Sequence, residues 1–566
     1  MPWGRRQYFD RTRFEADLKR IVAFYADRGY PEARVTSFDL ALNDDKDAVT
    51  VTVTVDEGEP VRVSSVSFSG FDEVPETHRR QLTEAAPLEV GSPHDRQRVA
   101  QTLERALNEL RDHGYPYAEV SVEEEAQPGG QDVAVTFVAD PGPLAHFGPV
   151  EIVGNRSVST RVIERQLSYK AGDLYRRSVV QASQRRLYEM ELFEFVNIES
   201  LDPDRESPEV WTRVTVAEGD HQRINLGVGY GTEEKARIDG EYRHVNFLGG
   251  ARSAGAHARW SSLDRGVRAN FRQPYLFDPH LSLLLEGQQW RTETPAYRSI
   301  ITGGKSTVTW RAGQTSVSAS LSSEYTSSAI SADALNDPTL RDELIALGLD
   351  PTTGRQEGEV SAVSLDFFRS TADDLLNATR GYQVALHAEQ AGRVLPGTFR
   401  YVAVSADGRY YVPVTSRIVA ANRLQAGTID PADDDPANVP FSKKHFLGGA
   451  TSIRGWGRYE VSPLSGSGLP IGGNSFLALS SELRVAIRGR LGTVLFLDAG
   501  NVWADGWTIM PGGLLYAGGA GLRYETPVGP VRFDFGYQLN PLDDLVVDGA
   551  PRDRRWRLHF SIGQAF

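Results

Sequence analysis

From about residue 221 onward the sequence alternates. Apolar and polar residues trade places through runs such as Ile224–Tyr230, Ala254–Trp260, Ser282–Trp290, Thr307–Ala312, Ser316–Tyr325, Val360–Phe368, Arg400–Val412 and Phe476–Ala486. Gly, Asp, Asn and Pro separate them. Period-two alternation is the signature of strands with one face in each of two environments. The region holds roughly sixteen such runs, about 22 residues per strand and turn, as a membrane β-barrel requires. A large soluble β-sandwich or propeller has the same periodicity. No apolar stretch approaches the length of a spanning helix, so any membrane crossing is by strands. Two long interruptions, 330–357 and 428–473, read as extracellular loops, because the opposite turns of such barrels are short.

The first 220 residues have a different texture, with a repeat of about 80 residues. Gly29-Tyr30-Pro31 and Gly114-Tyr115-Pro116 each end a helical pattern and precede alternating residues. A second strand follows, Val51–Val55 or Val133–Phe137, and runs into a turn at Gly58 or Gly142. A weaker third copy carries Val214-Thr215-Val216 and Gly219. Phe14, Leu18, Ile21, Val22 and Tyr25 form one apolar helical stripe, and Val99, Leu103, Ala106, Leu107 and Leu110 repeat its spacing. Val179, Ser183, Leu187 and Met190 follow it more loosely. Each unit reads β-α-α-β-β, giving α+β repeats over 1–60, 61–143 and 144–220, then an all-β antiparallel barrel over 221–566. The first unit starts at its helix, and Met1–Arg6 lacks the apolar core of a secretory signal. The expectation is an exported protein whose N-terminus is cut, with three repeats as a minimum.

Composition narrows the function. A net charge of −14 opposes nucleic-acid binding, which needs a basic face to replace phosphate counterions. The absence of cysteine removes disulfides, thiolate metal sites and Cys nucleophiles. There is no H-E-x-x-H and no G-x-S-x-G. Gly227, Gly229 and Gly231 lie in an alternating strand rather than a phosphate loop. The 11 histidines show no metal-ligand spacing, and the Asp runs 373–374 and 433–435 read as solvated turns. The expectation is therefore no catalytic residue, no cofactor and no metal.

One segment is distinctive: Phe446-Leu447-Gly448-Gly449-Ala450-Thr451-Ser452-Ile453-Arg454-Gly455-Trp456, inside the longest loop. It resembles the loop-six signature of the outer-membrane assembly and two-partner-secretion superfamily (the BamA/TamA family), whose members carry periplasmic POTRA repeats and a sixteen-stranded barrel. Phe496-Leu497-Asp498-Ala499-Gly500 resembles the family's partner strand. The resemblance implies that the Arg454-Gly455-Trp456 tip folds into the lumen, where Arg454 meets Asp498 beside Phe496. Phe496 and Asp498 share one strand face, and an Asp is tolerable only on the lumen side. Residues 520–534 resemble the family's penultimate hairpin, 376–382 the opening of a middle strand, and the terminal strand Trp556–Phe566 the outer-membrane insertion signal. Three repeats and the Glu525–Pro530 wording look most like the barrel subunit of the translocation and assembly module. The central assembly-machine barrel and a two-partner-secretion exporter or porin are the alternatives.

The resemblance implies a non-enzymatic outer-membrane factor that inserts β-barrel proteins such as autotransporters. Its partners would be unfolded outer-membrane proteins, the surrounding lipid and a long periplasmic bridging protein (TamB-like). Strand capture is expected at a free edge of each repeat, with Thr215 on such an edge. The barrel seam is expected between about Arg223–Gly231 and Trp556–Phe566, weakened by Gly227, Gly229, Gly231 and Gly563, with Phe566 terminal. Leu226 and Leu558 would then face each other across it.

Overall fold

The helices of the N-terminal repeats form where the apolar stripes predict them. In the computed structural model, which describes residues 9–44, 48–201, 206–330, 337–374, 377–524, 526, 531–547, 550–552 and 554–562, the chain divides into units Met1–Gly219 and Asp220–Phe566. Helix α1 (Arg11–Asp27) is capped by Asp10, whose carboxylate accepts the backbone N–H of Thr12 and Arg13. Its stripe Phe14, Leu18, Ile21, Val22 and Tyr25 is half-buried and the rest of the helix is exposed. Strands β1 (Arg34–Leu42) and β2 (Val49–Asp56) pair antiparallel. The second repeat contains β3 (Arg62–Ser69), α2 (Glu76–Glu84), α3 (Arg96–Asp112), β4 (Glu119–Ala126) and β5 (Asp132–Asp140). The third contains β6 (His146–Val153), α4 (Thr160–Glu164), α5 (Arg177–Glu189), β7 (Phe193–Ser200) and β8 (Glu209–Glu218).

The sheet orders are β3-β5-β4 and β6-β8-β7, the central strand parallel to the first and antiparallel to the other. This corrects the placement of Thr215. It lies on central strand β8, opposite Val153 on one side and Asn197 on the other, so it is not on an edge. The strand with Val210, Val214 and Val216 buried occupies the middle, where packing is available from both neighbours. Gly70 and Gly154, which close β3 and β6, have φ of +81° and +92°. A Cβ there would stand 2.2 Å from the Ala139 carbonyl and 2.0 Å from the Val216 carbonyl, so only glycine fits either corner.

The second unit is a closed antiparallel barrel of sixteen strands. They are β9 (Gln222–Gly231), β10 (Lys235–Val245), β11 (Ser253–Trp260), β12 (Asp264–Gln273), β13 (Leu281–Glu293), β14 (Tyr297–Ala312), β15 (Thr315–Ile330) and β16 (Arg355–Ser370) in the first half. The second half is β17 (Gly381–Ala391), β18 (Tyr401–Thr415), β19 (Ile418–Pro431), β20 (Ser475–Arg488), β21 (Leu491–Trp503), β22 (Leu515–Tyr524), β23 (Val531–Gln538) and, after the two-residue pieces β24 (Val546–Val547) and β25 (Ala550–Pro551), β26 (Trp556–Ile562). Alternation sets the two faces. Leu495 and Leu497 point outward, half exposed, while Phe496 and Asp498, which alternate with them, are buried inside. The turns at one end are two residues long at 313–314, 416–417 and 489–490, and the other end carries the segments 331–354, 432–474 and 539–555. Helix α6 (Pro338–Ala346) lies in the first of these long segments.

Glu218, at the end of β8, gathers the 156–158 turn. Its carboxylate accepts from the backbone N–H of Arg156, Ser157 and Val158 and from the Ser157 hydroxyl at 2.6–2.9 Å. Burial alone raises its pKa, but these four donors outweigh burial and hold it at about 2 instead of 4.5. The folded value is the lower one, so the stabilisation is complete above about pH 4.5 and is lost as the pH falls toward 2. Glu218→Gln should cost the turn about 1–2 kcal/mol at neutral pH once solvent screening is allowed for. Amide-exchange protection factors at 156–158 should fall on acidification from pH 5 to 3 in the native chain and stay flat in the variant.

Candidate functional site in the barrel lumen

The 432–474 segment does not extend into solvent; it turns back and fills the lumen. Three short 3-10 turns (Ala432–Asp434, Pro436–Asn438, Phe441–Lys443) lower it from the rim, and bridges between His445 and Gly473 and between Leu447 and Val461 hold its two arms together. Leu447, Ile453, Trp456 and Val461 pack against Ala478, Val502, Leu515 and Ala517 of the wall. Near the rim, Phe441 joins Tyr297, Leu340 and Leu344, so α6 covers the descending arm.

Arg454 and Asp498 meet at the tip. Nε donates to Asp498 Oδ2 and Nη2 to Oδ1, each at 2.8 Å, and the Arg454 backbone N–H donates to Oδ2 at 3.0 Å. The guanidinium lies 3.5 Å from the centre of the Phe496 ring. The two side chains are 3% and 0% exposed, so the pair is fully out of water. Neighbouring side chains take up further donors and acceptors of the pair. Nη1 reaches Glu482 Oε1 at 2.6 Å, and Ser480 Oγ donates to Asp498 Oδ1 at 2.7 Å. Such saturation is what a buried ion pair needs to offset desolvation. Glu482 and Ser480 were not singled out from sequence. They sit two apart on the lumen face of β20, and the only signal for them is a charge at an inward strand position.

Glycine lets the tip touch the wall. Gly455 has φ of +151°, and a Cβ there would press on Ala517 Cβ at 3.1 Å. Across from it, a Cβ at Gly536 would stand 2.2 Å from the Arg454 carbonyl. Trp456 is fully buried, and its indole N–H has no hydrogen-bond acceptor among the described residues.

Further ion pairs radiate from the same loop. Arg458 reaches Asp264 of β12 at 3.1 Å. Glu460 accepts from Arg552 at 2.9 Å and from Arg557 of the last strand. Glu233, in the turn after the first barrel strand, approaches His559 of the last strand at 3.2 Å.

That last contact crosses the seam. Strand β9 pairs with β10 along its whole length, from Gln222 to Gly231. With β26 it pairs, among the described residues, only at Gly231–Ser561 and Tyr230–Ile562. Gly563 and Phe566 lie outside the described residues. The register places Leu558 opposite Glu234, eight residues beyond Leu226, so the expected Leu226–Leu558 contact is corrected by the shear of the barrel. Gly227 and Gly231, with Gly229 between them, face the lumen. A Cβ would meet nothing closer than 3.6 Å at Gly227 or 3.5 Å at Gly231. Sterics therefore do not require glycine at those two positions.

Periplasmic-type repeats, a sixteen-stranded barrel and an in-folded loop locked by an Arg–Asp pair define an outer-membrane barrel of the POTRA-bearing class. The comparisons agree. An Omp85 superfamily domain matches residues 246–566, and a surface antigen variable number repeat (POTRA) matches 1–58, 61–142 and 145–219. The chain belongs to the Omp85 superfamily. It is 25% identical to the outer membrane protein assembly factor BamA of Neisseria meningitidis over 99% of this chain and 74% of that protein. Against the BamA of Nitratidesulfovibrio vulgaris it is 26% identical over 98% and 68%. BamA from Haemophilus ducreyi lacking POTRA domains 1–3 superposes with a TM-score of 0.67 at 18% identity, covering 89% of this chain and 99% of that one. The chain is thus an outer-membrane assembly factor with its repeats in the periplasm, in a family whose members insert barrel proteins without catalysis.

Arg454→Ala should leave Asp498 and Glu482 buried without their cation, at a cost of about 3–5 kcal/mol. The 432–474 segment should then become protease-sensitive, and single-channel conductance should rise as the plug loosens. Asp498→Asn should act in the same direction. Trp456→Phe, which deletes an unpartnered donor, should leave both properties near those of the native chain. Native protease resistance in Arg454→Ala would show that the pair does not hold the loop.

Proposed function

We propose that the chain, organised as repeats over 1–60, 61–143 and 144–220 and a barrel over 221–566, is a central assembly barrel of the BamA kind that inserts β-barrel proteins through its own seam. The observation that carries this reading is the β9–β26 closure, which among the described residues is two register pairs, Gly231–Ser561 and Tyr230–Ile562. A nascent strand in lipid has unpaired backbone groups, each costly to bury. A barrel edge that is itself under-paired can take such a strand by augmentation. Gly227, Gly229 and Gly231 remove packing from β9 and add about 0.5–1 kcal/mol each to the entropic cost of ordering it, relative to alanine. We read Arg454 and Asp498 as the lock that keeps the loop seated while the seam opens. Neither step needs a nucleotide.

The repeats supply a second edge, though not uniformly. On β7 the Val196 N–H donates to the Tyr188 hydroxyl, and its carbonyl accepts from Tyr188 and Gln184 of α5. These side chains close that edge at its middle. No such side chain covers β4 among the described residues, so capture is assigned to the second repeat. The translocation-module reading, with autotransporters as preferred substrates and a TamB-like bridging partner, rests on the three repeats and the wording at 525–530. The relatives carry the assembly-factor name, and the central-machine reading takes precedence. Co-purification from outer membranes with a long bridging protein, rather than with other assembly subunits, would reverse that order.

The seam is tested by a reversible lock at its observed register. Cysteines at Tyr230 and Ile562 should crosslink on oxidation, stop insertion of a model barrel substrate and release it on reduction. Gly227→Ala with Gly231→Ala should slow insertion without unfolding the barrel. Unchanged insertion by the oxidised protein would remove lateral opening as the mechanism.

A further inference from the structure

Helix α2 of the second repeat has little to hold it in place. It is nine residues long, has no side-chain N-cap, and buries only Leu82. A helix that short gains its stability from tertiary contacts. What joins its first turn to α3 is a cluster of three side chains. His78 Nδ1 lies 2.8 Å from Glu109 Oε1, and His113 Nδ1 lies 3.5 Å from the same oxygen. The two imidazole rings stand edge to face with centroids 4.8 Å apart. One ligand atom from each of the three residues lies within 4.8 Å of the other two.

We propose that His78, Glu109 and His113 form a binding site for a borderline divalent transition-metal ion of the Zn²⁺, Ni²⁺ or Cu²⁺ class, which staples α2 to α3. Two imidazole nitrogens and one carboxylate oxygen are the donor set such ions take. Calcium and magnesium prefer all-oxygen cages and fit poorly. Glu109 in the last turn of α3 and His113 at its C-cap are four apart, and His78 supplies the third ligand from α2. The side chains are 48%, 24% and 20% exposed, which gives an ion a path in and leaves its remaining positions to water. Without an ion the site holds itself together through protons. The His113 Nδ1–H donates to the Glu109 backbone carbonyl at 2.8 Å, and the His78 Nδ1–H to the Glu109 carboxylate. Coordination through Nδ1 puts each ring proton on Nε2 and replaces two Nδ1–H hydrogen bonds, one to the Glu109 carboxylate and one to its backbone carbonyl, by bonds to the ion. The Glu109 carboxylate supplies the one anionic ligand of the set, which draws a cation to the two imidazoles. Sequence spacing does not reveal the site, because His78 is 31 residues from Glu109.

The test uses the whole, tag-free chain in detergent micelles, stripped with a chelator and titrated calorimetrically with ZnCl₂. One equivalent should bind. His78→Ala and His113→Ala should each weaken that binding by about tenfold or more, and Glu109→Gln, which keeps the side-chain shape, should weaken it as well. His280→Ala, at an exposed histidine in a barrel turn, should change nothing. Hydrogen exchange over Glu76–Glu84 should slow on adding Zn²⁺ in the native chain and not in His78→Ala. Absence of stoichiometric binding, or binding that His78→Ala and His113→Ala leave intact, overturns the site. Since neither readout involves substrate insertion, failure here is separate from failure of the seam mechanism.

Discussion

A strand in hydrocarbon must pair every backbone N–H and C=O with another strand, because no water is there to do so. Closure into a barrel is the only all-β solution, and most of this molecule follows from it. Sixteen strands enclose a lumen wider than wall side chains alone can fill. The lumen face is therefore free to carry charge, while the outer face must be apolar. The chain uses that freedom. It lines the lumen with Asp264, Asp498, Glu482 and Asp534 and fills it with a loop that brings Arg454 and Arg458 to meet three of them. The wall is made by backbone hydrogen bonding, but the plug is held by electrostatics in a dry interior.

The Arg454–Asp498 pair shows why motif reading worked where it did. An arginine in a Gly-rich loop and an aspartate in an apolar strand are each anomalous in their own segments, and both anomalies were legible. Their mutual distance was not a matter of local pattern; it came from the family resemblance. Glu482 is marked only as a charge at an inward strand position, and Ser480 carries no local anomaly. Only the register of β20 against β21, with Ser480 opposite Asp498, shows that they share the site.

The same distinction explains the misplacements. The alternation and helical stripes are local, and they located the strands and α1, α3 and α5. Sheet order and barrel shear are non-local. Thr215 reads from sequence as an edge residue, whereas the last strand of the second and third repeats inserts between the other two. Leu226 and Leu558 were set opposite each other because the offset of a closing seam leaves no mark on either strand. The His78–Glu109–His113 cluster was missed for a similar reason, since two helices must first pack before its ligands converge.

Closure and function pull against each other at one place. A fully paired barrel has no edge to offer, and an open one leaves backbone unsatisfied in lipid. The described seam lies between these limits: two register pairs of ladder, supplemented by side chains. Glu233 approaches His559 and Glu460 holds Arg557, so the last strand is tethered from the turn beyond β9 and from the in-folded loop. The Glu460 and His559 side chains are 6% and 2% exposed, so these contacts hold the strand from the buried lumen side, apart from the backbone ladder. The last strand is thus held by side chains where its described ladder to the first is two register pairs long. The loop locked by Arg454 carries Glu460, and the Glu460–Arg557 pair joins that loop to the last strand, so the packing of the plug and the position of the closing strand depend on each other.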